Sequence, residues 1–385
     1  DALPILAYFN QWPEYSKYNE PQILSFAKEH QPQLGYYAFV QYLLHKQLSA
    51  ATEYAHRHKV VFKGDIPIGI SRHSVEAWHE PYYFHMNSQA GAPPDDFSIT
   101  GQNWGFPTYN WERMAQDGYR WWVRRLQKMA EYFDAYRIDH VLGFFRIWQI
   151  PLHSVQGLLG YFSPSLPLSA DEIERYGLRY RYDFFTRPYI TDNVLTQIFG
   201  SEAVKVAKNF LIDCCDGTYD LKEEFSTQRK VMAYFEGSTK KKAPLYRDGL
   251  FKLINNVLFI ADAQNTQLLH PRISVQSDSV FQSLSAEEQK AFNNLYEDYF
   301  YHRHNDFWYA HAMKKLPILV QSTRMLVCAE DLGMVPSCVA PVLDNLKILS
   351  LEIQTMPKAV GQTFARLSDN PYRSVATIFT HDMPT

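Results

Sequence analysis

Four consecutive residues, Arg137-Ile138-Asp139-His140, place three charged or titratable side chains behind a short apolar run. If Ala135–Ile138 is a strand, alternation sends Arg137 and Asp139 to the same face, two residues apart. An arginine there favours the ionised aspartate, the state that a nucleophile or an electrostatic stabiliser needs. A structural ion pair at a strand end is the alternative. Two more acidic residues follow comparable runs: Glu330 after 325–329, and Asp382, beside His381, after 375–379. Glycoside chemistry requires two carboxyl groups in different proton states, one ionised at the anomeric carbon and one holding a proton for the leaving oxygen. Asp139 fits the first. Glu330, leaving the apolar Leu326-Val327-Cys328-Ala329, would be partly desolvated and so keep its proton. Asp382 and His381 can grip vicinal hydroxyls, more strongly on a distorted ring. Helix caps and ion pairs are the competing account of all three strand ends.

Residues this far apart in sequence need a fold that gathers strand ends. The segment 60–70 is a β-branched run expected to form a buried parallel strand, preceded by an amphipathic helix over 43–58 on the spacing of Leu44, Leu48, Ala51 and Ala55. Residues 1–42 read as loops with short helices. Tyr119, Trp122, Leu126, Met129 and Phe133 predict one face of a helix that delivers the chain into the Asp139 strand. After the strand at 325–329 come a helix over 335–346 and strands over 348–353 and 375–379. Strand, helix, strand with carboxylates at the carboxyl ends is the rhythm of a β/α barrel, where all such ends meet on one face.

Between 151 and 315 that rhythm breaks, predicting a mostly helical insertion. Ser169 is expected to cap a helix, with Glu172 at the capping-box spacing. Residues 221–235 and 286–313 read as helical, and 250–261 as helix or strand. His302, Arg303 and His304 are expected to lie on a solvated or ion-paired helix face rather than at a metal or phosphate site. The stretch 78–111, polar and punctuated by Pro and Gly, is too long for an ordinary connection and is expected to be functional or lid-like.

Composition narrows the classes. The formal charge is -3 without a long basic run, which argues against a nucleic-acid or anionic-membrane partner. No apolar run approaches the roughly 20 residues of a membrane span. Four cysteines without a Cys-x-x-Cys pair suit a reducing, cytoplasmic setting. With 26 Tyr, 25 Phe and 8 Trp, the chain has aromatics for a core and for stacking flat polar ligands such as sugar rings.

The motifs Arg137-Ile138-Asp139-His140, Ala329-Glu330-Asp331-Leu332-Gly333 and Thr380-His381-Asp382 resemble the three catalytic motifs of the amylomaltases, the 4-α-glucanotransferases of the α-amylase clan. Gly64-Asp65-Ile66-Pro67-Ile68 resembles that family's third barrel strand. Ala92-Pro93-Pro94-Asp95-Asp96-Phe97-Ser98 and Gly101-Gln102-Asn103-Trp104-Gly105 resemble its acceptor-side loop, although the loop usually carries an aromatic where Asp96 stands. The resemblance implies Asp139 as nucleophile, Glu330 as general acid then base, and Asp382 as transition-state stabiliser. It implies Arg137, His140 and His381 as substrate-binding or supporting groups, Asp95, Phe97, Gln102 and Trp104 at acceptor subsites, and a mainly structural Asp65. No metal or organic cofactor is called for.

Phe162-Ser163-Pro164-Ser165-Leu166-Pro167-Leu168 and Thr186-Arg187-Pro188-Tyr189-Ile190 resemble the insert of the disproportionating-enzyme-2 type, whose members use maltose or a malto-oligosaccharide as donor and a polysaccharide such as glycogen as acceptor. The expected organisation is a (β/α)8 TIM barrel, incomplete in this chain. Residues 1–150 would hold about strands 3–4, 151–315 the insertion, and 316–385 about strands 5–7. A hydrolase of the same clan and a non-catalytic glucan-binding protein are the rival functions. The insert's aromatics Phe292, Tyr296, Tyr299, Phe300, Phe307 and Trp308 are expected either to pack or to mediate self-association.

Overall fold

Five short parallel strands carry the site: β1 (Lys63–Ile66), β2 (Ala135–Ile138), β3 (Leu326–Ala329), β4 (Ser350–Ile353) and β5 (Ser374–Thr377). They belong to a computed structural model that describes residues 8–95, 98–358 and 361–380. Phe97, His381 and Asp382 lie outside the described residues. β2 pairs in parallel with β1 on one side and β3 on the other, with Arg137 opposite Asp65 and Cys328. β4 pairs in parallel with β5. A parallel bridge between Cys328 and Leu349 joins β3 to β4, with the Leu349 N–H donating to Val327 O at 3.0 Å and the Ala329 N–H to Leu349 O at 2.7 Å. The strands therefore lie side by side in chain order, which is how a β/α barrel is wound. Among the described residues β1 and β5 are not joined, so the architecture here is an α/β parallel sheet rather than a closed barrel.

The chain divides into two compact units, one of 1–86, 106–145 and 308–385, the other of 87–105 and 146–307. In the first, α1 (Gln31–Arg57) precedes β1, α2 (Arg120–Met129) links β1 to β2, and α3 (Val339–Leu346) links β3 to β4. α1 is longer than the 43–58 expected, and a further helix, Glu20–Glu29, precedes it, so 1–42 is not mainly loop. Asn19 caps the shorter helix by accepting from the Gln22 N–H, and Pro32 sits in the first turn of α1, where its missing donor costs nothing. β1 covers only part of 60–70: beyond Ile66, Pro67 has no N–H for the ladder and the Ile68 N–H turns to Asp139 instead.

α2 begins and ends inside its expected face. Tyr119 is a left-handed cap rather than a helical residue, Phe133 falls past the end, and Trp121, Trp122 and Leu126 are what the helix buries. These rings meet Tyr109, Trp111 and Phe144 behind the sheet, with the Arg125 guanidinium over Trp121 and Trp122 at 4.5 and 4.8 Å. Much of the aromatic surplus is thus core. The Tyr109 hydroxyl donates to Ile68 O at 2.5 Å and ties this cluster to the loop beyond β1.

The second unit is not purely helical. It contains a four-stranded antiparallel sheet in the order Gln102–Asn103, Ser88–Ala92, Ile147–Pro151, Tyr161–Ser163. Through Ser88–Ala92, part of the polar 78–111 stretch is a central strand with Ser88, Gln89 and Ala90 buried. Gly91 is required there, because a Cβ would stand 2.0 Å from the Gln102 carbonyl oxygen. Around this sheet, Ser169 and Glu172 form the expected capping box, and Ser285 with Glu288 forms a second. Leu221 ends a small hairpin strand, leaving the helix to Gln228–Phe235. Residues 250–261 are both things at once, the end of helix Ala243–Asn255 and then strand Phe259–Ala261. Phe292, Tyr299 and Phe300 are buried in this unit and Trp308 in the other, so these four rings are core. Arg303 is ion-paired with Glu172 at 2.7 Å, and His304 is buried against the Tyr299 carbonyl.

Candidate active site

Alternation along β2 buries Tyr136 and Ile138 on one face and sends Arg137 and Asp139 to the other. The Arg137 guanidinium makes a bidentate pair with Asp65, Nε to Oδ1 at 3.0 Å and Nη2 to Oδ2 at 2.9 Å. It reaches Asp139 Oδ1 at 3.4 Å, a longer contact. Asp65 therefore aims the arginine, and the arginine bridges the ends of β1 and β2. The second Asp139 oxygen accepts from the Ile68 N–H at 3.4 Å, and its side chain is about one-third exposed, 35%. This is a carboxylate held at a sheet end and open to a ligand.

Glu330 follows β3 as Asp139 follows β2, and the Ala329–Ile138 register makes them neighbours. Its own N–H donates to Ile138 O at 2.9 Å, which closes the β2–β3 ladder. Its carboxylate accepts two backbone donors, the His140 N–H at 2.8 Å and the Leu332 N–H at 2.9 Å. Burial raises the Glu330 carboxyl to about 7; the Asp139 charge adds to this, while the two N–H donors and Arg137 pull partly back. The group can hold a proton near neutrality and also release it, which is what acid–base work requires.

Asp331, adjacent to Glu330, carries no separate signal in the sequence. Alternation turns it away from Asp139, and its buried carboxylate accepts the Leu351 N–H at 2.9 Å and the Lys358 ammonium at 2.8 Å. Lys358 also donates to Glu352 at 2.9 Å. This latch fixes the end of β3 to β4 and so supports Glu330 from behind. The only signal in the sequence was its position next to Glu330.

Arg137, Asp139, His140 and Glu330 are thus brought together, with Asp65 behind the arginine. Asp95, Gln102 and Trp104 belong to the other unit. There the Asp95 carboxylate accepts the Ser98 N–H at 2.8 Å, and the Trp104 indole N–H donates to the Gln102 side-chain carbonyl at 3.0 Å. The Trp104 backbone N–H donates to Ala90 O at 3.0 Å, which anchors the loop to the buried strand Ser88–Ala92.

The family model described as 4-alpha-glucanotransferase matches residues 6–385. The chain belongs to the 4-alpha-glucanotransferase family. A protein of Oryza sativa subsp. japonica named 4-alpha-glucanotransferase DPE2 is 41% identical over 98% of this chain and 40% of its own length. A 4-alpha-glucanotransferase of Thermus thermophilus is 37% identical over 37% of this chain and 30% of its own length. The chain spans less than half the length of these relatives. A crystal structure of amylomaltase from Corynebacterium glutamicum aligns over 90% of this chain and 30% of its own, with 17% identity and a TM-score of 0.45. No helix among the described residues is long and apolar enough to cross a membrane.

Proposed function

We propose that this chain carries the active site of a 4-α-glucanotransferase that moves glucosyl or maltosyl units between α-1,4-glucans by a retaining double displacement. One observation carries the reading: Glu330, pushed up to about 7, stands at the strand end next to the arginine-flanked Asp139. A carboxyl with a raised pKa next to an arginine-paired carboxylate suits glycosyl transfer better than a structural ion pair. An Asp139 oxygen attacks the anomeric carbon while Glu330 gives its proton to the departing glucan's 4-oxygen. The glycosyl ester formed is then opened by an acceptor 4-hydroxyl, whose proton Glu330, now a carboxylate, takes. Asp382 and His381 are assigned to the ring hydroxyls at the transition state, and Asp95, Phe97, Gln102 and Trp104 to acceptor subsites. Arg137, aimed by Asp65, steadies the nucleophile.

The five parallel strands in chain order support a (β/α)8 barrel as the scaffold of the whole protein. The rice relative aligns along nearly the entire chain, insertion included, whereas the Thermus protein aligns over about a third, which favours the disproportionating-enzyme-2 type with maltose as donor and a glycogen-like acceptor. Free Cys214, Cys215, Cys328 and Cys338 suit the reducing cytoplasm. The test is a product ladder from the intact protein with maltose, with and without glycogen. Glucose released in step with chain extension, and enhanced by glycogen, is the expected result. Two glucose per maltose without extension would mean that water is the acceptor and the enzyme a hydrolase. Glucan binding without any turnover would mean a binding protein.

A further inference from the structure

We infer that His140 is a positioning residue for Glu330, acting through its left-handed backbone rather than through its imidazole. The inference rests on the reading of Glu330 as the acid/base. His140 has φ 46° and ψ 60°, a left-handed conformation that only a few per cent of non-glycine residues adopt, His with Asn and Asp more often than the rest. Such a conformation persists only where the surroundings over-determine it, and here two neighbouring backbone donors lead to Glu330. The His140 N–H donates to the Glu330 Oε2 atom at 2.8 Å, and the next N–H, of Val141, donates to the Glu330 carbonyl at 3.0 Å. Two successive N–H groups thus converge on one residue, side chain and main chain together, in the manner of a backbone nest. The His140 carbonyl closes the turn by accepting the Gly143 N–H at 2.8 Å.

The imidazole is placed differently. Its Nδ1 atom lies 4.0 Å from Glu330 Oε2, beyond hydrogen-bonding distance. Because His140 directly follows Asp139, the same turn that ends the nucleophile's strand also seats the acid/base. One backbone conformation therefore contributes to the placement of both carboxyls, on whose separation a retaining mechanism depends. Among the described residues, the charged and titratable groups facing the Glu330 carboxyl are Asp139, Arg137 and the His140 ring. Asp331 points the other way, toward Lys358.

The experiment compares His140→Gly, His140→Asn, His140→Ala and His140→Val in the intact protein. Gly and Asn accept positive φ, Ala accepts it poorly, and β-branched Val least. Two readouts are taken: the pH profile of transfer, and the Glu330 carboxyl titration followed by difference infrared spectroscopy against Glu330→Gln. Removing a donor from the carboxylate disfavours its charged form, so Val should move the Glu330 titration upward by about one pH unit. The same variant should lower turnover by roughly 10²-fold, as the loss of one oriented donor does elsewhere. Gly and Asn should leave the titration in place and cost no more than about tenfold, through the missing ring. Ala should fall between Gly and Val, and this comparison decides the matter if the Val protein does not fold. Equal shifts in Gly and Val would assign the effect to the imidazole and overturn the inference, as would an unshifted titration in both Ala and Val. A wild-type protein without glucan transfer would sink the functional reading, while the titration series would still test the role of His140.

Discussion

Glu330 and Asp262 are two partly or fully buried carboxylates, each accepting two backbone N–H donors, and their pKa values are displaced in opposite directions. Glu330 is bonded by the N–H groups of His140 and Leu332, and burial beside Asp139 raises its pKa to about 7. Asp262, in the other unit, accepts the N–H groups of Gln264 and Asn265, both at 2.9 Å. Burial raises its pKa as well, but the His270 side chain at 3.1 Å and the two backbone donors outweigh it, and its carboxyl is held below the ordinary range. The other His270 nitrogen accepts from the Tyr299 hydroxyl at 2.6 Å, and Tyr161 stacks on the ring at 4.0 Å. Every polar atom of that cluster is turned inward on a partner, so the cluster braces the Phe259–Ala261 hairpin rather than meeting a ligand. Backbone donors alone do not decide whether a carboxylate reacts. The balance against burial does: at Glu330 desolvation, with the Asp139 charge adding to it, outweighs the donors, whereas at Asp262 the His270 bond and the donors outweigh desolvation.

The largest expected difference separates the two by activity. Asp139→Asn or Glu330→Gln should lower transfer by roughly 10³-fold or more, whereas Asp262→Asn should leave kcat within about threefold. Steady-state assays with maltose and glycogen measure both, and a large kcat loss in Asp262→Asn would erase the contrast. Stability should run the other way. Asp262→Asn should cost about 2 kcal/mol, read by urea unfolding, because it weakens a charge-assisted bond to a buried histidine.

Glu330→Gln should stabilise the protein, and increasingly so with pH. The folded pKa lies above the unfolded one, so from about 4.5 to about 7 the folded state binds more protons and wild-type stability falls as pH rises. The variant removes that slope, with a gain bounded at about 3 kcal/mol near pH 8 and nearly absent at pH 4. Equal melting temperatures for the two proteins across that range would contradict the raised pKa. Next in size, Asp65→Asn should cost roughly tenfold in kcat by freeing Arg137 from its bidentate partner. Smallest is Lys358→Met, expected to lose about 1 kcal/mol of stability through the latch behind Glu330, and to leave the Glu330 titration where it is.

How much of this was legible in the sequence depended on whether a local pattern carried the information. The strand before Asp139 and the alternation of Arg137 with Asp139 were readable, because period-two patterning is local. So was the Ser169–Glu172 capping box, a four-residue motif. The length of α1 was not. Only Thr52 and Ala55 are buried along it, so its first half offered no one-sided stripe to detect. Ser88–Ala92 reads as part of a functional or lid-like polar stretch because Ser88 and Gln89 are polar, yet both are buried. Gln89 donates to Pro151 O at 3.0 Å and accepts from Arg229 at 2.6 Å, partners far away in sequence. The Asp331–Lys358 latch and the His140 N–H were equally silent, since bonds between residues far apart in the chain leave no local residue pattern.

The most direct test of the central claim, that Asp139 attacks while Glu330 moves the proton, is covalent trapping. The intact Glu330→Gln protein would be given a maltosyl fluoride, whose leaving group needs no protonation, and followed by intact-mass and peptide-mapping mass spectrometry. The account predicts that the glycosyl ester forms, persists for want of a base to deprotonate the acceptor, and maps to Asp139. An adduct on another residue, or none while the fluoride is consumed, would contradict it.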